Sequence, residues 1–125
     1  MAQHHTTGKQ GEQYAVECIV EKGYTILERN WRFKRGEIDI IAEFNNTIIF
    51  VEVKTRSSDK YGFPEQAVTP SKQHLLAITA EEYMFQKKLT QDVRFDVIAV
   101  IKRGDTFIAE HLEDAFFANP TDDLF

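Results

Sequence analysis

The chain has one cysteine, Cys18, among its 125 residues. A lone thiol cannot close an internal disulfide, which excludes the disulfide-stapled secreted scaffolds. Its place in an amphipathic helical pattern makes Cys18 a buried structural thiol of a reducing compartment. No apolar run approaches the roughly 20 residues of a membrane-spanning helix, and the polar N-terminus lacks a signal-peptide pattern. The expectation is therefore a cytoplasmic protein with no membrane partner. Repeats, low-complexity stretches and linkers are missing too, so residues 1–125 read as one domain with its core at about 8–112. Excess positive charge is also absent: the net charge of −5 argues against a protein that coats nucleic acid nonspecifically.

What charge there is, is unevenly placed. Residues 29–72 hold eight basic side chains against six acidic ones, whereas residues 104–125 hold six acids and no Lys or Arg. One end suits phosphates and the other a solvated surface. Thr7 and Gln10 fit a capping box for a helix running to about Lys22, with Gly23 as its left-handed stop and a loose segment over residues 1–6. Strands are expected over residues 24–30, 37–44, 47–55, 94–101 and 106–112, with a basic turn over 31–36. Thr69-Pro70 marks the start of a second helix reaching about Lys88, its inward stripe formed by Leu75, Leu76, Thr79 and Tyr83 and extended by Lys72. Phe116-Phe117 should dock on the core and residues 121–125 should fray. Antiparallel strands two and three, and a helical return to strand four, imply an α/β fold with a mixed sheet and a helix on each face.

The chemistry concentrates in GEIDIIA (residues 36–42) and FVEVKTR (residues 50–56). Both read as buried strands, yet each carries charge among aliphatic neighbours, and a buried carboxylate is costly unless paired. Only Asn45-Asn46 separates them, a strong signal for a two-residue hairpin. If Phe44 faces Thr47, Asp39 lies across from Glu52 and Glu37 across from Lys54. The second pair is an ion pair. The first opposes like charges, a destabilising arrangement that a divalent cation would relieve. A bulge would shift this register by one residue. Glu-x-Lys alone is equally a feature of solvated strand faces.

Glu12 shares a helical face with Ala15, Val16 and Ile19. Periodicity leaves open whether it belongs to a site or is an exposed first-turn acid that the macrodipole favours. Arg29, Arg32, Lys34, Arg35 and Arg56 flank the hairpin and suit either phosphates or local acids. Trp31, Tyr61 and Phe63 suit base stacking, or anchoring of core and loops. His4-His5 is too short to form a metal tract.

This order of elements, with an acid on helix one, Asp39 on strand two and Glu52-x-Lys54 on strand three, resembles the restriction-endonuclease-like fold and its PD-(D/E)xK motif. GEIDIIA, FVEVKTR, Ala67-Val68-Thr69 with Lys72, and Arg94-Phe95-Asp96-Val97 resemble the YraN-like uncharacterised bacterial proteins, relatives of the archaeal Holliday-junction resolvases. The resemblance spans residues 8–100. It implies a Mg²⁺- or Mn²⁺-dependent endonuclease acting on DNA, with structured or branched DNA as the expected form, in DNA repair or recombination. Asp39, Glu52 and the Val53 carbonyl would be metal ligands, and Lys54 would sit beside the attacking water. Glu12 matches the acid that relatives carry on the first helix, as a further ligand or a holder of water. Ile38 stands where the motif has proline, a departure common among resolvases. Arg32, Arg35, Arg56, Gln66 and Lys72 are the candidate phosphate contacts. A divalent cation would acidify water and neutralise charge on the phosphorane. A lysine with a pKa near 10.4 is a poor general base at neutral pH, so orientation of water or oxyanion stabilisation suits Lys54 better. Action on junctions needs two sites and hence a homodimer. Two other readings stay open: a silent nucleic-acid-binding or protein-interaction module on the same fold, and a purely structural ion network.

Overall fold

The computed structural model describes residues 2–57 and 68–116, with side chains from Gly8 onward. Its elements are α1 (Ala2–Glu21), β1 (Thr25–Phe33), β2 (Gly36–Phe44), β3 (Thr47–Arg56), α2 (Pro70–Gln86), β4 (Asp92–Arg103) and β5 (Thr106–Leu112). The five strands form one sheet in sequential order. β3 and β4 are parallel and every other neighbouring pair is antiparallel, so the sheet is mixed as expected. No described helix is long and apolar enough to cross a membrane.

The sheet separates two apolar layers. Ala15 and Ile19 of α1 pack with Ile40, Ile49, Val51, Ile98 and Val100. Leu76, Ala80 and Tyr83 of α2 pack with Ile41, Ile48, Phe50, Phe95 and Val97 on the other face. Trp31 and Phe116 lean on that second layer, Trp31 edge-on to Tyr83 and Phe116 stacked on Phe95. Trp31 therefore anchors the core, and Phe116 docks as the sequence implies; Phe117 and residues 121–125 lie outside the described residues. The hairpin turn also follows its chemistry: Asn45 and Asn46 have φ of 52° and 59°, the left-handed pair that a primed turn needs. Thr69 caps α2, accepting the Lys72 N–H, and Pro70 opens it. Gly23 closes α1 at φ +102°.

Several local expectations are corrected. α1 starts at Ala2, so Thr7 is an interior residue and not a cap. No proline interrupts residues 2–7, and the cost of a helical Gly8, about 1 kcal/mol, does not stop the helix. Glu12 consequently sits mid-helix, where the first-turn macrodipole argument does not apply. Residues 31–33 extend β1, leaving only Lys34-Arg35 as the turn. Cys18 is half-buried rather than buried.

Candidate active site

Asp39 is where the regular ladder gives way. β2 and β3 pair from Phe44–Thr47 to Ile40–Val51, the expected register, and the next pair, Asp39–Glu52, does not form. Ile38 packs in the α2 layer while Ile40, two residues on, packs in the α1 layer. A regular strand puts such residues on one face, so β2 is locally irregular at Asp39. The Asp39 carboxylate takes over a backbone role: its Oδ2 accepts the Val53 N–H at 2.8 Å.

Loss of register beyond Ile40 also dissolves the expected Glu37–Lys54 pair. Glu37 faces Arg32 on β1, and the two form an ion pair at 3.3 Å. Lys54 turns instead to Glu52 on its own strand, at 3.4 Å. Glu52 is 5% exposed and faces α2, whose first turn supplies a second ammonium: Lys72 Nζ donates to Glu52 Oε2 at 2.5 Å. Two lysines thus converge on one carboxylate oxygen.

Asp39 has no such cation among the described ion pairs. Burial and the negative charge of Glu52 push its carboxyl up to about 7; the Val53 N–H and the Lys72 charge oppose this, and the Glu12 charge adds to it. The three acids therefore sense one another. Glu12 comes from α1, where Arg29 donates to it at 3.3 Å and Asn30 at 3.1 Å. Periodicity left its place open; in the structure Glu12 lines one open cleft of about 480 Å³ together with Asp39, Val53, Lys54, Thr55 and Arg56.

The chain has relatives. A model of the uncharacterised protein family UPF0102 matches residues 11–100. The chain belongs to that family. A UPF0102 protein of Flavobacterium psychrophilum is 49% identical over 117 residues, covering 94% of this chain and 98% of its own. Another, of Syntrophus aciditrophicus, is 48% identical over 117 residues, covering 93% and 92%. A third, of Phocaeicola vulgatus, is 39% identical over 117 residues, covering 94% and 97%. The UPF0102 match runs from Gly11 in α1 to Val100 in β4, and so takes in Glu12, Asp39, Glu52, Lys54 and Lys72.

The candidate phosphate contacts of this UPF0102 chain part company. Arg56 lines the cleft, and Nη1 donates to the Thr55 carbonyl at 3.5 Å. Arg32 is 75% exposed and engaged with Glu37. Arg35 is exposed in the β1–β2 turn. Lys72 reaches inward to Glu52. Gln66, Tyr61 and Phe63 lie outside the described residues. Two cleft residues escaped sequence reasoning, Gly8 and Lys9; the signal was their helical phase, since Gly8 precedes Glu12 by four residues.

Among the described residues, no group of three His, Cys, Asp or Glu side chains is placed to hold a metal ion. The donor chemistry is nonetheless that of a hard cation: carboxylate oxygens whose mutual charge already raises Asp39. Magnesium commonly rests on one or two carboxylates, water and substrate phosphate rather than on an all-protein cage, and the residues present fit that mode.

Proposed function

We propose that this chain is a metal-dependent endonuclease that hydrolyses DNA phosphodiester bonds on a restriction-endonuclease-like core. The observation that carries the reading is that Asp39 and Lys54 line one cleft where adjacent strands part, with the buried Glu52 ion-paired to Lys54 at 3.4 Å. The order helix, three strands, helix, strand supports it, as does the Glu12 carboxylate on α1. Asp39, Glu52 and the Val53 carbonyl would hold Mg²⁺ or Mn²⁺, with Glu12 as an outer ligand. When bound, that ion would supply acidified water and charge neutralisation at phosphorus. Lys54 orients the attacking water or donates to the developing oxyanion. Lys9 and Arg56, at the cleft, meet flanking phosphates. The new bond is from water oxygen to phosphorus, the bond from phosphorus to the sugar oxygen breaks, and the departing oxygen takes up a proton. Branched DNA is the substrate form we favour, with a homodimer presenting two sites.

A second reading, a binding module without turnover, is favoured by one observation: Glu52 already carries two ammonium partners. Cleavage of linear, single-stranded, flapped and four-way DNA with Mn²⁺ or Mg²⁺, using Asp39→Asn as control, separates the two. The nuclease reading expects metal-dependent cleavage that falls at least about a hundredfold in the variant, the scale of losing one transition-state contact. No cleavage by either folded protein sinks it and leaves the module, whose DNA affinity would fall steeply with salt.

A further inference from the structure

Lys72 stands at an awkward place for a cation. It is the third residue of α2, and its own N–H is held by the Thr69 cap. Helix N-termini carry partial positive charge and disfavour lysine there. The first turn of α2 holds no acid to compensate. A solvated lysine would turn outward, but this one reaches inward to an oxygen of a carboxylate that is almost wholly buried. Lys72 therefore answers to Glu52 on β3, which lies across the broken β2–β3 ladder from Asp39.

We propose that the Lys72 ammonium is the resident counter-ion of Glu52, beside Asp39, occupying the cation's role until a divalent ion displaces it. This rests on the metal-site reading above. The inference differs from a phosphate-binding role for Lys72, which would leave ion affinity unchanged and act only on DNA. Lys54 does not duplicate the function, because it lies farther from Glu52, 3.4 Å against 2.5 Å. In the metal-free protein Lys72 thereby offsets the charge of the buried Glu52. The cost falls on ion affinity, since an ion meets a competent site only in the fraction of molecules where Lys72 has left.

The test is Mn²⁺ binding, read by electron paramagnetic resonance of free Mn²⁺, for wild type, Lys72→Met and Asp39→Asn. Lys72→Met should bind Mn²⁺ about tenfold more tightly than wild type, as expected when the competing state is removed. It should also show the larger Mn²⁺-induced rise in Tm. Equal or weaker binding in Lys72→Met, with wild type binding, overturns the counter-ion role and leaves the metal site standing. No Mn²⁺ binding by wild type or Lys72→Met overturns both. Should Lys72→Met fail to fold, wild type decides: acylation of the Lys72 amine, mapped by mass spectrometry, should speed up several-fold on saturation with Mn²⁺. An unchanged rate overturns the proposal.

Discussion

Asp39 and Asp96 are carboxylates on the same sheet, both drawn away from water, and they titrate in opposite directions. Asp96 on β4 has no exposed surface. Arg94 donates to both of its oxygens at 2.9 and 2.8 Å, His111 approaches at 2.7 Å, and the Asp114 N–H donates at 2.9 Å. Lys22 Nζ lies 3.0 Å from His111 Nδ1; since an ammonium only donates, the ring proton sits on Nε2 and points at Asp96. Burial pushes the Asp96 carboxyl up, but His111, Arg94 and the Asp114 N–H outweigh it and hold it below its usual range. Asp39 has one backbone donor and two acidic neighbours, and is pushed up to about 7. Burial alone does not decide which way a carboxylate shifts. The number of hydrogen-bond donors aimed at it does.

The sharpest way to break that comparison is to remove Asp96. Asp96→Ala would leave the partly buried Arg94 without its carboxylate and the Asp114 N–H without its acceptor. Urea denaturation should register a loss of about 3–5 kcal/mol, the scale for a broken buried pair. A loss under about 1 kcal/mol would mean that the network contributes little beyond an ordinary surface pair.

Asp39→Asn should act the other way, though less strongly. The amide oxygen keeps the Val53 hydrogen bond while the charge disappears. Without divalent ions at pH 8, we expect the variant to be about 1–3 kcal/mol more stable than wild type. The gain should vanish near pH 4. Folded Asp39 binds a proton up to about pH 7, whereas the unfolded chain releases it near 3.8, so wild-type stability falls as pH rises through that window. Asp96 has the opposite slope: its contribution is full above the unfolded value of 3.8 and is lost as pH falls through its lower folded value. A chemical-denaturation series from pH 3 to 8 on wild type and Asp39→Asn reads both. A pH-independent difference between the two proteins would contradict the assignment.

The smallest effect should come from the rim. Arg29 is 37% exposed where it meets Glu12 at 3.3 Å. Arg29→Ala should cost under about 1 kcal/mol, less at high salt.

Much of this contrast was legible in the chain, and the remainder was hidden for physical reasons. Asn45-Asn46 announced the hairpin, and Thr69-Pro70 the start of α2, because turn and cap chemistry is local. Asp39, Glu52 and Lys54 stood out as charges in aliphatic strands; Asp39 and Lys54 line one cleft, and Glu52 is buried beside Lys54. Their pairing was misread because it assumed an unbroken ladder, and the irregularity at Asp39 leaves no mark in the alternation of side chains. The Asp96 network was invisible for another reason. Tyr24, His111 and Asp114 approach Arg94 and Asp96 only through sheet formation, and nothing in residues 94–97 names those partners. Lys72 was visible as an extension of the inward stripe of α2, but its partner Glu52 depends on where the N-terminus of α2 rests on the sheet.

One small residue sets the dimensions of the cleft. Gly11 lies so close to β3 that a Cβ there would run into the Thr55 side chain, and Gly36 meets Thr79 of α2 in the same manner on the other face. Each helix is thus held at its standoff from the sheet by an absent methyl group. Because Glu12 follows Gly11, and Thr55 lies beside Lys54 in the cleft wall, the standoff of α1 is also the gauge of the opening. The width of the opening is therefore fixed by packing, independent of every charge that lines it.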